Sequence, residues 1–236
     1  MTEPPRRLIL WDIDGTLLSG GAVAREAFGD AVTRVTGIDA RDHGVSMSGK
    51  TDPQIALEIM ERVGISRDEA RAHLPEVLLA LEEGLAAQSA RLSDEGRVHP
   101  GVRSLLERLS RDPGILQSVL TGNLKANARV KLASFGLDGL VDLEVGAFGS
   151  DHHDRRQLIP IALHRVEVGT GWRLAPDQVW VVGDTPRDLD AARSSGAHCL
   201  LVATGRFTMD ELSGFGADAL LADLSDEDGV IEVLLG

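Results

Sequence analysis

Apolar residues fall along this chain in two rhythms, and the change between them divides it. Leu8-Ile9-Leu10-Trp11 is an unbroken apolar run, opened by Arg6-Arg7 and closed by Asp12-Ile13-Asp14-Gly15-Thr16. That is the signature of a strand buried on both faces of a parallel sheet. The same format returns at residues 115–120, 179–182 and 199–202, more weakly at 219–221, and as an alternating segment at 141–145. Helical periodicity separates these runs: Val102, Leu105, Leu106 and Leu109; then residues 124–135, 188–195 and 227–235. Between Ser19 and Gly96 no strand pattern occurs. Val23, Ala27, Ala31 and Val35 recur at spacing four, and Ile55, Ile59, Met60 and Val63 follow Asp52-Pro53, with Asp52 the expected N-cap. Ser66 and Glu69 form a capping box that opens a third helix, expected to break at Leu74-Pro75 before a longer one carries Val77, Leu78, Leu81, Leu85 and Leu92. The pattern predicts an α/β core from residues 1–18 and 97–236, with an all-helical cap, residues 19–96, inserted between flexible joints at Ser19-Gly20-Gly21 and Glu95-Gly96.

Composition narrows the partners. The chain has 236 residues, is 43% hydrophobic and carries a formal net charge of −13, which disfavours nucleic acid and anionic membrane surfaces. No apolar run reaches the ~20 residues of a membrane helix, and residues 1–5 lack a secretory apolar core, so a cytoplasmic location is expected. The single cysteine, Cys199, lies in an apolar run and reads as a buried structural thiol. Oligomeric state is left open, and a monomer is compatible with everything above.

Candidate chemistry sits at the strand ends. Asp12-x-Asp14, Thr121-Gly122-Asn123 and Gly183-Asp184 each follow an apolar run. Turn signals alone would make these three independent coincidences, whereas one ligand-binding edge of an α/β sheet accounts for all of them. At these residues the sequence resembles the haloacid dehalogenase superfamily. Asp12-Ile13-Asp14-Gly15-Thr16 is similar to its first motif, Thr121-Gly122-Asn123 to its second and Gly183-Asp184-Thr185-Pro186-Arg187-Asp188 to its fourth. The resemblance implies a Rossmann-like core with a helical cap, as in the phosphoglycolate-phosphatase-like branch, and a magnesium-dependent phosphatase of small phosphorylated metabolites. It further implies Asp12 as nucleophile, Asp14 as general acid and base, and Mg2+ held by Asp12, the Asp14 carbonyl and Asp184. Thr121, Gly122 and Asn123 would bind phosphate, with Thr16 in support. Asp188 either supports the metal site or is a first-turn acid favourable with the helix dipole. An acid at position 14 disfavours dehalogenation. An intramolecular sugar phosphomutase and a non-catalytic phosphometabolite-binding domain are the alternatives.

The third motif departs from the usual Lys-Pro, which occurs nowhere here. Its region spans residues 148–158, and Arg155 is chosen over Arg156 as the cation for the transferring phosphoryl group. Lys125 and Lys131 read as surface residues, and the neighbours His152-His153 as solvated loop. Lys50, in the cap, either steers a second anionic group of the substrate or stands exposed before a helix.

Overall fold

The computed structural model describes residues 6–236. Strand β1 (Arg7–Trp11) occupies the middle of a five-stranded sheet of order β4-β1-β5-β6-β7, formed with Ile115–Val119 (β4), Val179–Gly183 (β5), His198–Val202 (β6) and Ala219–Leu221 (β7). Every neighbouring pair in it is parallel. Side-chain alternation splits the core into two layers. Ile9, Trp11, Val182, Leu200 and Val202 pack on one face, against Val102–Leu109 (α5), Lys125–Ser134 (α6) and Glu227–Leu235 (α10). Leu8, Leu10, Val181, Cys199 and Leu201 pack on the other, against Leu158–Thr170 (α7), Pro186–Ser195 (α8) and Met209–Ser213 (α9). Cys199 is buried, which pushes its thiol well above the usual range. Because the chain returns to opposite sides of β1 to form β4 and β5, the sheet has its switch point at the C-terminal end of β1, where Asp12 follows.

The first helical stretch leaves the core through a two-stranded antiparallel ribbon. Leu18–Ser19 (β2) pairs with Arg97–Val98 (β3), so Ser19 is strand where the sequence reads as a loose joint. The helices between are Val23–Thr36 (α1), Asp52–Arg62 (α2), Arg67–Ala87 (α3) and Ser89–Glu95 (α4). They enclose their own apolar cluster, including Val32, Ile59, Met60, Val77 and Leu81, which Leu124 of the core joins. No helix among the described residues is long and apolar enough to cross a membrane.

Three local expectations are corrected. Pro75 lies inside α3 without ending it, because the capping box at Ser66 and buried Ala70, Val77 and Leu81 anchor the helix on both sides of the proline. Residues 141–145 do not form a strand. Asp142 Oδ1 accepts from the Glu144 N–H at 2.9 Å and turns the backbone, so the segment meets β4 at Asp142, whose N–H donates to the Gln117 carbonyl at 2.8 Å and whose carbonyl accepts from Ser118 Oγ at 2.5 Å. A bridge between Leu120 and Ala147 lies beyond it. The N-cap of α2 is Thr51, not Asp52.

Asp52 has other work. Its Oδ2 accepts from the Leu124 N–H at 2.8 Å and from Asn127 Nδ2 at 3.0 Å, capping α6 from outside that helix. Burial pushes its carboxyl up to about 6, against the opposing charge of Lys131. Asp52→Ala leaves two buried donors without an acceptor and is expected to cost about 1–3 kcal/mol, with Asp52→Asn costing less. The folded state holds this proton more tightly than the unfolded chain. Its contribution is therefore present at low pH and lost as pH rises from the unfolded carboxyl range through about 6. Urea unfolding of wild type and Asp52→Asn at about pH 4.5 and about pH 7 should show wild type losing ground as pH rises; parallel behaviour would contradict this assignment.

Candidate active site

Asp12 emerges from β1 with its N–H bonded to the Val182 carbonyl at 2.8 Å, so the sheet ladder fixes its backbone. Its Oδ1 accepts from the Ile13 N–H at 2.8 Å, and its Oδ2 lies 3.1 Å from Arg155. The turn that follows needs glycine: Gly15 has φ +88°, and a Cβ there would stand 2.5 Å from Asp184 Oδ2. Gly205 closes the other side, where a Cβ would lie 1.7 Å from the same oxygen. Asp184, at the end of β5, thus sits in a cradle that admits its carboxylate and no further side chain. Buried Thr16 Oγ1 is 3.4 Å from Asp184 Oδ1.

Arg155 opens a short 3-10 turn, Arg155–Gln157, ahead of α7 and is buried. Its Nη2 donates to the Leu120 carbonyl at 3.0 Å and to Asp188 Oδ1, while Nε has no acceptor among the described residues. Burial opposes its charge, but Asp12 and Asp188 outweigh that and raise its pKa. Arg156 lies at the surface, paired with Asp154. Asp188 is fully buried, its Oδ2 taken by the Thr185 N–H at 3.0 Å and hydroxyl at 2.7 Å. It holds Arg155 and the loop after β5 together.

Asp12, Asp184 and Asp188 offer ligand atoms within 4.8 Å of one another, the one such group among the described residues. With Arg155 the cluster still carries a formal charge of about −2, and desolvation raises the pKa of both Asp12 and Asp184. Hard oxygen donors with excess negative charge fit a divalent cation. Asp12 and Asp184 are the donors placed to hold it, since both line the cavity between core and helical block, whereas Asp188 does not and has both oxygens turned to Thr185 and Arg155.

Thr121 follows β4. Its Oγ1 accepts from the Asn123 N–H at 3.3 Å and Asn123 Nδ2 at 2.8 Å. It does not cap α6: the N–H of Leu124, just ahead of the helix, goes to Asp52, and that of Lys125 goes to Ser150 Oγ at 3.3 Å. Gly122 packs under the helical block, where a Cβ would meet the Lys50 carbonyl at 2.0 Å.

Lys131, expected at the surface, is only 4% exposed. Its Nζ lies 2.8 and 2.6 Å from the two Asp14 oxygens and 2.7 Å from Asn123 Oδ1, and Asn123 Nδ2 donates to Asp14 Oδ2 at 2.7 Å. One signal for it was available. Asn127, Ala128, Lys131 and Leu132 form a single buried helical stripe, in which a lysine is out of place unless it has an acidic partner.

Asp12, Asp14, Lys50, Thr121, Gly122, Asn123, Lys131, Arg155 and Asp184 all line one cavity of about 400 Å³ between core and helical block. Arg25 and Arg206 line it too, unnoticed in the sequence because no short motif marks either of them. Among the described residues neither is paired with a carboxylate; Arg206 donates to Ser46 Oγ at 2.9 Å. Lys50 is ion-paired with Glu58.

The family model for haloacid dehalogenase-like hydrolases matches residues 9–193. The chain belongs to this family. The fold agrees with several solved structures. A predicted phosphatase from Clostridium acetobutylicum superposes with a TM-score of 0.72 at 18% identity, covering 97% of this chain and 99% of that one. CbbY from Rhodobacter sphaeroides, in complex with phosphate, gives 0.69 at 21%, covering 94% and 96%. A predicted phosphoglycolate phosphatase from Haemophilus somnus gives 0.67 at 21%, covering 97% and 99%. No curated protein matches the sequence.

Proposed function

We propose that this hydrolase is a magnesium-dependent phosphatase that cleaves small phosphate monoesters through an aspartyl-phosphate on Asp12, beneath a cap formed by residues 19–96. The observation that carries the reading is the pairing of a buried carboxylate, Asp12, with a buried guanidinium, Arg155, at 3.1 Å beside a cavity that Asp14 also lines. A carboxylate oxygen of Asp12 attacks phosphorus as the bond to the leaving oxygen breaks, and Asp14 gives that oxygen its proton. Asp14 then takes a proton from water as the water oxygen bonds to phosphorus and the Asp12–phosphorus bond breaks. Arg155 lines the cavity and would bring its charge to a phosphoryl oxygen there, and the Thr121-Gly122-Asn123 segment lines the same cavity. A magnesium ion on Asp12 and Asp184 would neutralise phosphoryl charge.

Substrate choice rests on the cavity's remaining basic residues, Arg25 and Arg206. Two arginines without a carboxylate partner among the described residues, in a chain of net charge −13, favour a phosphate ester bearing a second anionic group, a carboxylate or another phosphate. Lys50 is less available, being held by Glu58. The test is free-phosphate release across sugar phosphates, phosphoglycolate, nucleoside monophosphates and an aryl phosphate, with magnesium and with chelator. Arg25→Ala/Arg206→Ala should raise KM about tenfold or more for a doubly anionic substrate while leaving KM for the aryl phosphate within about twofold. Equal effects on both would remove the arginines from recognition, and rearranged product without free phosphate would replace the phosphatase by a mutase.

A further inference from the structure

The buried lysine beneath Asp14 has no place in the chemistry described so far. An ammonium carries three donors and no acceptor. All three are spent here: on Asp14 Oδ1 at 2.8 Å, Asp14 Oδ2 at 2.6 Å and Asn123 Oδ1 at 2.7 Å. Lys131 therefore has no donor left for a substrate oxygen, although it borders the cavity. Packing does not explain it either. Its helical neighbours Ala128 and Leu132 are fully buried apolar residues, and an apolar side chain of similar length would continue their stripe without the cost of desolvating a charge.

Asp14 has the opposite need. Its side chain is 43% exposed, so water could solvate it without help, but a carboxylate on a short stem at a cavity wall is free to turn. Lys131 contacts both of its oxygens, and Asn123 Nδ2 holds one of them again at 2.7 Å. Asn123 is itself fixed, since its amide nitrogen also donates to Thr121 Oγ1 at 2.8 Å and its Oδ1 accepts from Lys131. The result is a closed ring of bonds, anchored on a helix on one side and on the loop after β4 on the other.

We propose that Lys131 is a positioning residue for Asp14: with Asn123 it fixes the carboxylate in the orientation from which it exchanges a proton with the leaving oxygen and then with water. The proposal rests on the phosphatase reading of Asp14. It assigns Lys131 no contact with substrate, so its removal acts on kcat and leaves KM in place.

The experiment compares wild type, Lys131→Met, Lys131→Arg, Asp14→Asn and the double variant Asp14→Asn/Lys131→Met on an alkyl phosphate and on 4-nitrophenyl phosphate, with magnesium. Lys131→Met should lower kcat for the alkyl phosphate about a hundredfold, within the range that one positioned acid supplies, with KM within about threefold. The loss should be smaller for 4-nitrophenyl phosphate, whose leaving group needs no proton. Lys131→Arg should recover part of it, and Lys131→Met should add nothing on the Asp14→Asn background. Four kinetic results overturn the proposal: kcat within about threefold of wild type, a KM rise at constant kcat, failure of Lys131→Arg to recover any activity, or the same extra loss in both backgrounds. A crystal structure of Lys131→Met gives a readout independent of activity, because Asp14 should leave its place beside Asn123. Asp14 unmoved overturns the positioning role even if wild type hydrolyses nothing, an outcome that would separately remove the phosphatase reading. If Lys131→Met does not fold, Lys131→Gln replaces it. Failure of both to fold, with Asp14→Asn folded, makes Lys131 a structural residue and overturns the proposal.

Discussion

Asp12→Asn is expected to lower phosphate release by at least about a thousandfold while the protein still folds. An amide oxygen is a poor nucleophile toward phosphorus and a weaker ligand for a hard cation, so one substitution removes two functions at no change in volume. Stability has two opposing contributions. The neutral side chain relieves repulsion from Asp184 and Asp188, both of which lie with Asp12 in one carboxylate group, but it also deprives Arg155 of one of its two acidic partners. The amide oxygen of the variant can still accept the Ile13 N–H bond that Asp12 Oδ1 takes at 2.8 Å in the wild type. The melting temperature should accordingly stay within about 5 °C of wild type, a shift of roughly 1–2 kcal/mol for a chain of this size. Aryl phosphate turnover and a thermal scan on the same preparation check both halves. Activity within tenfold of wild type would end the covalent mechanism, and a collapse in stability would make Asp12 chiefly a structural partner of Arg155.

The strands were readable because burial on both faces leaves an apolar run with no polar interruption, as in residues 8–11 and 179–182. Their alternation even assigns residues to layers, Leu8 and Leu10 to one and Ile9 and Trp11 to the other. Residues 141–145 misled for a physical reason: Val141, Leu143 and Val145 do alternate into the core, yet the Asp142 side chain bends the backbone out of a ladder. Periodicity reports which way side chains face and not whether neighbouring backbones pair. The proline in α3 misled in the opposite sense, since tertiary packing overrode a local preference. Around the site, residues adjacent to strand ends could be found, because short motifs carry them. Lys131, Arg25 and Arg206 reach the same cavity from helix α6, helix α1 and the loop after β6, and nothing local in the sequence ties those places together. Asp52 was legible as a helix-start acid, but its bond to α6 joins residues 72 positions apart.

The cation at the centre of the carboxylates provides the other large effect. Arg155→Met is expected to destabilise the protein by about 3–5 kcal/mol near pH 8 in the absence of divalent cation, because it leaves buried Asp12 and Asp188 without their shared partner. Activity should fall about a hundredfold or more with it, through lost charge stabilisation at the transferring group. The stability loss carries its own pH signature. Desolvation already raises Asp12 and Asp184 above the ordinary carboxylate range, and Arg155 is what opposes that rise. Removing it lifts both further above their unfolded values. A group whose folded pKa is raised contributes stability at low pH and loses it as pH climbs from the unfolded value through the folded one. Protonation should thus make the cluster tolerable near pH 5, so the deficit relative to wild type should be small there and grow toward pH 8. Magnesium added near pH 8 should recover part of it by supplying the missing positive charge to Asp12 and Asp184. Arg155→Lys, which keeps the charge but loses the forked donors, should fall between the two. Urea unfolding of the three proteins at both pH values, with and without magnesium, decides the matter. A deficit that is independent of pH and of metal would mean that Arg155 matters for its hydrogen bond to the Leu120 carbonyl, and not for its charge.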